Sequence, residues 1–529
     1  MPSLNWIGKD EVINHNPPFH ILNQKYTFNA ENSDNMIIKG DNLLALKALL
    51  PRFEGKIKCI YIDPPYNTGN ENWVYNDNVN SKEIKKWLGE VVGKDDLSRH
   101  DKWLCMMLPR LKLLHRLLSD DGVIFISIDD NEMANLKLLC DEVFGGGGDF
   151  VDIFSWMKTE TPANLSKKTK KAIEYILCYQ KTKNNNKFIG IQKNSKSSNG
   201  LMNQTNSEKI LIFPADKIDT GLKDGIYPKG EYGTKSYKIT LLDDTEVKKG
   251  FFVKDVKLLG KFKWTQENLE KELYKNTKIS IRTKAFSPSY EKEEYEPETP
   301  WNFISPEFGV NTNENASAQL LDIFIDKGQI FDYPKPPSLI QYLINFICDK
   351  NSIILDSFAG SGTTAHAVLE LNKKDGGNRK FILVEMEDYA ENITAERVRR
   401  VIDGYGKEPK TTACGGDFSF YELGERLLLE NGNINESISS EKIKEYIYFS
   451  ETKEKYEQND SDFLGECNGV AYYFIYKKDE ITTLDFEYLA NIKKASAYVI
   501  YADICVLSND TMMKYSITFK KIPRDIKKV

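Results

Sequence analysis

Short, largely apolar runs alternate with longer stretches in which leucine recurs every three or four positions, and that alternation leaves few architectures open. Residues 36–38, 57–62, 123–128 and 175–179 read as buried strands, and residues 42–50 and 103–118 as amphipathic helices. A strand without a polar face needs cover on both sides, so this order predicts a parallel α/β sheet with helices on each face. From about Lys181 the pattern breaks into Asn-, Lys- and Ser-rich stretches, with one helix expected at residues 266–275, which implies a separate, loop-rich module. It resumes after about Trp301, with helices expected at 339–348 and 365–372 and strands at 352–356 and 381–385. One sheet interrupted by an insertion accounts for this. Past residues 411–417, β-rich runs at 470–476 and 497–507 indicate a small α+β domain. The expected boundaries are therefore 1–184, 185–300, 301–424 and 425–529.

The formal net charge of −6 argues against a polyanionic partner only on average. Residues 151–260 carry 20 Lys against 12 Asp and Glu, a local +8 that leaves −14 for the rest. A basic segment inside an acidic chain suits either a phosphate-contacting surface or a solvated lysine face. No stretch of 18 apolar residues occurs and the first residues lack a signal-like pattern, so a cytoplasmic protein without a membrane span is expected. The eight cysteines lie far apart, mostly in apolar runs and without a Cys-x-x-Cys pair, and read as buried thiols.

Two loops carry candidate chemistry. Asp63-Pro64-Pro65-Tyr66 follows the run 57–62, at a strand's carboxyl end, where open α/β sheets bind ligands. An exocyclic amino group conjugated to a ring is a poor nucleophile until its lone pair is localised. A carboxylate (Asp63) and a rigid carbonyl (Pro64) can accept its two hydrogens, and Tyr66 offers a face on which a base can stack. The competing reading is a tight turn with Tyr66 merely packed. The second loop, Asp356-Ser357-Phe358-Ala359-Gly360-Ser361-Gly362-Thr363-Thr364, opens into a helix expected from Ala365. A nucleotide phosphate is an obvious ligand for a helix N-terminus, but the Walker pattern is missing from the chain. The next strand ends at Glu385, where an acid can hold a ribose diol, so a nucleoside without phosphates fits better.

With these residues in place, the chain resembles the β-class amino-methylating DNA methyltransferases, most closely the modification subunits of type III restriction systems. The likeness runs through Ile38-Lys39-Gly40-Asp41-Asn42, the extended motif from Asp63 to Asn70, Met107-Leu108-Pro109-Arg110-Leu111 and the strand end at 126–132. It continues through Tyr333-Pro334-Lys335-Pro336-Pro337-Ser338-Leu339, the loop from Phe358 to Thr364 and Gly415-Gly416-Asp417-Phe418. The resemblance implies a Rossmann-like methyltransferase fold with circularly permuted motif order and an inserted target-recognition domain at 185–300. Its cofactor would be S-adenosylmethionine. Asp63, rather than Ser, at the head of the tetrapeptide implies N6 of adenine, flipped out of double-stranded DNA.

Carried over by position, Asp63, Pro64, Pro65 and Tyr66 form the catalytic loop. Asp356, Phe358, Ala359, Gly360, Ser361, Gly362, Thr363 and Glu385 form the cofactor pocket, with Asp41, Lys335 and Ser338 beside it. The resemblance further implies a homodimer and an ATP-dependent restriction subunit, with residues from about 425 as its docking surface. Neither a metal nor a nucleophilic cysteine is required. Lysines of the insertion would meet phosphates, with Asn203 and Gln204 as candidates for base contacts. Asp129-x-x-Glu132 reads instead as a helix capping box, and Glu451-Thr452-Lys453, despite a nuclease-like spacing, as a solvated helix. Three alternatives stay open: N4 of cytosine as target, a stand-alone methyltransferase, and a non-catalytic specificity subunit.

Overall fold

The computed structural model describes residues 4–68, 98–145, 149–162, 167–190, 198–292, 297–407 and 411–527. Gly69 and Asn70 of the extended tetrapeptide motif lie outside these residues. Two compact units result, one of Met1–Phe188 with Pro300–Val529 and the other of Ile189–Thr299.

In the first unit the described residues place ten strands in one sheet: β1 (His20–Phe28), β2 (Met36–Lys39), β3 (Ile57–Ile62), β4 (Leu118–Ile128), β5 (Phe150–Met157), β6 (Ile173–Gln180), β7 (Phe303–Ile304), β8 (Ile353–Asp356), β9 (Lys380–Glu385) and β10 (Phe418–Arg426). Their spatial order is β1-β10-β2-β9-β8-β3-β4-β6-β5-β7. From β10 to β4 every pairing is parallel. The sheet is mixed rather than wholly parallel, because β6 runs antiparallel to β4 and β5, and β1 to β10. An apolar run reads the same whichever way its neighbours point, so composition alone could not reveal strand direction.

Both faces of the sheet are covered, which is why its central strands have no polar side. Ile60 and Ile62 of β3 enter a core built with α1 (Asn42–Phe53), α2 (Ser98–Leu117) and α3 (Met133–Val143). Cys59 and Tyr61, one step out of phase, enter the opposite core with α4 (Pro337–Ile344), α5 (Thr363–Asp375) and α6 (Glu396–Asp403). The neighbours β3 and β8 thus lead to helices on opposite faces. A crevice opens between their outgoing loops at the carboxyl ends, the usual ligand position in a doubly wound sheet.

The second unit is β-rich rather than loop-rich: its described residues form two four-stranded sheets and one three-stranded sheet around a core of Leu211, Phe213, Ile239, Leu258 and Phe262, with a helix at Gln266–Tyr274. Its strands hold two to five residues each, too few to register as apolar runs. Several of its lysines sit in exposed ion pairs, among them Lys238 with Glu231 and Lys257 with Asp243. The side-chain oxygen of Asn203, a candidate base reader, accepts the Thr205 hydroxyl at 2.8 Å.

The C-terminal residues cluster with the first unit, and the expected boundary at 425 falls inside β10. A helix at Ser440–Thr452 packs Ile443, Tyr446 and Ile447 into a core over a four-stranded sheet. Glu451 is therefore not on a solvated helix: it accepts bonds from Tyr501, Lys520 and Lys527 and anchors this segment. Of the eight free cysteines, Cys59, Cys105, Cys140 and Cys178 are buried and the other four only half-buried. Among the described residues no helix is long and apolar enough to cross a membrane.

Candidate active site

Asp63 leaves the end of β3 pointing at a lysine from the far half of the chain. Its Oδ2 lies 2.7 Å from Lys335 Nζ, whereas its Oδ1 is buried and has no hydrogen-bond partner among the described residues. An orphaned buried acceptor costs on the order of 1–3 kcal/mol, so it marks a place where a donor belongs. The loop around it is clamped. The fully buried Trp103 donates its indole N–H to the Pro65 carbonyl at 2.7 Å. Asn67, at φ 57°, donates to the Arg99 carbonyl at 3.1 Å and to Glu132.

Glu132 corrects a local reading of the sequence. It does not close a capping box with Asp129: its buried side chain takes Asn67, His100 and Asn135, while Asp129 Oδ1 accepts the Asn131 N–H at 2.8 Å. The long-range demand of the loop after β3 outcompetes the helix end.

Tyr66 is held at both its hydroxyl and its ring. The hydroxyl donates to Glu174 Oε2 at 3.1 Å, and Lys335 Nζ lies 5.1 Å from the ring centroid. Lys335 reaches the same Glu174 oxygen at 3.6 Å, and Lys158 meets the other at 3.0 Å. Burial pushes the Lys335 ammonium down, but Asp63 and Glu174 outweigh it and hold it above the usual lysine range. Burial likewise pushes Glu174 up, yet Lys335 and Lys158 hold it below the ordinary glutamate value. Burial, then the neighbouring Asp63 and Glu174, drive the Tyr66 phenol well up.

The loop after β8 is built from backbone turns that only glycine adopts freely. Gly360 sits at φ 52° and Gly362 at φ 85°. A Cβ on Gly360 would stand 3.2 Å from the Phe331 ring, and one on Gly362 3.0 Å from the Thr394 carbonyl. Asp356 ties the two ends of the loop together, accepting the Phe358 N–H at 3.0 Å and the Thr364 hydroxyl at 2.5 Å. The helix starts at Thr363, two residues before the expected Ala365. The fully buried Arg397 donates to Ser361 Oγ at 2.7 Å and Thr363 Oγ1 at 2.8 Å, and Thr363 in turn donates to the Lys335 carbonyl at 3.2 Å. Glu385, at the end of β9, receives the Gly360 N–H at 2.7 Å and the Glu387 N–H at 3.0 Å. Burial pushes both Asp356 and Glu385 up to about 7.

The two loops meet in one cavity of about 400 Å³. Of the residues expected from sequence, Asp41, Asp63, Pro65, Lys335, Asp356, Phe358, Ala359, Gly360, Ser361, Thr363 and Glu385 line it. Pro64, Tyr66, Gly362 and Ser338 do not. Pro64 is buried behind the loop, Tyr66 turns to Glu174, Gly362 backs onto Thr394, and Ser338 Oγ accepts the Asn311 N–H at 2.8 Å at the start of α4. Sequence reasoning missed Asn42, Arg110, Phe331, Tyr333, Met386 and Tyr389 in the lining. Asn42 was within view, next to Asp41, and donates to the Ser357 carbonyl at 3.2 Å, joining the β2 and β8 loops. Asp41 caps α1 through the Leu44 N–H at 3.1 Å.

The donor set suits a nucleoside: aromatic Phe331, Phe358 and Tyr389 beside two glycine turns, a carboxylate at a strand end, and an unmatched acceptor a short way off. A larger open groove of about 860 Å³, lined among others by Asn23, Arg52 and Glu425, holds none of the sequence-predicted residues.

A family model described as DNA methylase matches residues 57–396, which span both loops. The chain is 35% identical over 385 residues to the type III restriction-modification enzyme StyLTI Mod subunit of Salmonella typhimurium, covering 69% of this chain and 54% of that one. It is 32% identical over 439 residues to the EcoP15I Mod subunit of Escherichia coli, covering 73% and 64%. With the type II methyltransferase M.KpnI of Klebsiella pneumoniae it shares 30% identity over 389 residues, 72% of this chain and 88% of the relative. The chain thus spans between about half and two thirds of the two Mod subunits.

Proposed function

The chain belongs to the DNA methylase family, and from that premise we propose that it methylates N6 of adenine in DNA with S-adenosylmethionine, as the modification and recognition subunit of a type III restriction-modification system. One observation carries the reading: the unpartnered Oδ1 of Asp63 belongs to a residue lining the same cavity as Gly360 and Glu385.

The adenine amino group delocalises its lone pair into the ring. Asp63 Oδ1 accepts one N6 hydrogen; the acceptor assigned to the other is the Pro64 carbonyl, which lies just behind the cavity lining and has to be reached by the inserted base, the pair drawing the nitrogen toward tetrahedral geometry. Lys335 holds the second Asp63 oxygen and so fixes the plane of the carboxylate. Tyr66, its hydroxyl pinned by Glu174, presents a ring of set tilt to a base turned out of the duplex, worth ~1–3 kcal/mol by stacking. Phe358, Ala359, Gly360, Ser361 and Thr363 would line the cofactor, Glu385 would accept its ribose hydroxyls, and Asp41 and Lys335 would flank its methionine end. Bound there, S-adenosylmethionine would supply an electrophilic sulfonium methyl with a neutral thioether as leaving group, and the proton that N6 loses passes to water. The enzyme's own contribution is alignment and hydrogen-bond polarisation.

Recognition falls to the β-rich unit Ile189–Thr299, whose lysines suit phosphates. Two relatives are named Mod subunits of type III enzymes, which supports a separate restriction subunit; its docking on the segment 425–529 and the pairing of two copies of this chain belong to the same proposal. The test is expression in a host free of adenine methylation, followed by sequencing that detects modified bases. N6-methyladenine in one short motif is expected, with a loss on the order of 10²-fold or more in Asp63→Ala. N4-methylcytosine instead, or equal signal from the variant, refutes the assignment.

A further inference from the structure

Resting on that methyl-transfer reading, we propose that Glu174 is a positioning residue for the transfer step, setting from a single carboxylate oxygen both the tilt of the Tyr66 ring and the seat of the Lys335 ammonium against Asp63. Glu174 lies on β6, two strands away from the catalytic strand β3 and antiparallel to the intervening β4, and is only 5% exposed. Its Oε2 takes the Tyr66 hydroxyl at 3.1 Å and stands 3.6 Å from Lys335 Nζ, while Lys158 locks Oε1 at 3.0 Å. Lys335 is consequently shared between two carboxylates, and it covers Oδ2 of Asp63 alone. That sharing keeps Oδ1 open. An ammonium facing Asp63 as its sole anion gains by bridging both oxygens, which would consume the acceptor that the amino group needs.

Charge balance adds a second reason. Asp63 and Glu174 face Lys335 and Lys158, two against two, in surroundings that screen poorly. As the methyl arrives, N6 acquires positive charge until its proton leaves. Without the Glu174 charge, that nitrogen would meet a surplus cation, an effect absent from the ground state and therefore felt in kcat more than in KM.

Three variants of the full chain test this on DNA carrying the mapped motif. Glu174→Gln keeps an acceptor for Tyr66 but removes the charge; kcat is expected to fall on the order of 10²-fold, with cofactor Kd and DNA KM within about threefold of wild type. Glu174→Asp keeps the charge at shorter reach and should retain more kcat than Gln. Tyr66→Phe frees the ring's tilt, and with 2-aminopurine at the target adenine it should change the flipping fluorescence, whereas Glu174→Gln leaves that signal in place. Glu174→Gln within about threefold of wild-type kcat, Gln outperforming Asp, or kcat and both binding constants falling together each overturn the proposal. A wild-type chain that forms no N6-methyladenine overturns the underlying reading instead, and the proposal with it.

Discussion

Cofactor affinity should tighten with rising pH, and the size of the effect follows from Glu385. Burial raises its carboxyl from 4.5 to about 7 against the pull of the Glu387 and Gly360 N–H groups, and Glu387 adds to the rise. Ribose hydroxyls donate to an ionised carboxylate, so binding draws on the deprotonated fraction. That fraction is about 9% one pH unit below the midpoint and about 91% one unit above it, giving a roughly tenfold tighter Kd at pH 8 than at pH 6, about 1.4 kcal/mol. Folding stability moves the other way. A carboxyl whose folded value is raised contributes stability in full below pH 4.5 and loses it as pH climbs through about 7, here about 3 kcal/mol. Asp356, raised to about 7 by burial, adds in the same sense. Calorimetric titration with S-adenosylmethionine at pH 6, 7 and 8, in two buffers of different ionisation heat, measures both the Kd and the protons released. Thermal unfolding of the free protein measures the opposing trend. A Kd unchanged within about twofold from pH 6 to 8, or an identical slope in Glu385→Gln, refutes the reasoning.

Trp103→Phe removes the indole donor to the Pro65 carbonyl; a stability loss of ~1–2 kcal/mol in urea and a kcat reduced by about tenfold are expected, with cofactor Kd unchanged. Gly362→Ala forces a Cβ to within 3.0 Å of the Thr394 carbonyl at φ 85° and should cost ~1–3 kcal/mol in denaturant titration, more than Gly376→Ala, which has a similar φ of 68° but open space around it.

The loops were legible because their chemistry is local. Asp63-Pro64-Pro65-Tyr66 sits directly after an apolar strand, and the glycines, Asp356 and Glu385 mark a strand-loop-helix-strand unit at fixed spacing. Strand positions were legible for a related reason: Cys59 and Tyr61 fill one core while Ile60 and Ile62 fill the other, so the run from Cys59 to Ile62 is apolar without a break, Lys58 before it pairing with Asp121 instead. Strand direction was hidden, as was the β-rich nature of the second unit, where Ile210 and Ile212 face outward between the inward Leu211 and Phe213. Glu132 and Glu174 escaped because their partners are Asn67 and Tyr66, far along the chain. Phe331 and Tyr389 escaped because aromatic residues without periodicity look like core; in space they meet edge to face at 5.7 Å beside Gly360.

The strand order has a consequence for how this molecule comes into being. Met36 pairs with Ile382 and Ser419, and Cys59 with Ile354, so β2 and β3 wait for partners about 300 residues or more downstream. Such distant pairings close large loops before any contact rewards them, which slows assembly. During synthesis the emerging first half holds two strands with open, apolar edges, surfaces that invite association with other chains until β8, β9 and β10 arrive. Neither half alone can gather the pocket, since Asp63 and Glu385 come from opposite sides of that gap. A ribosome that stalls before residue 385 therefore releases a product with no place for a nucleoside, and the site comes into existence only once the sheet has closed.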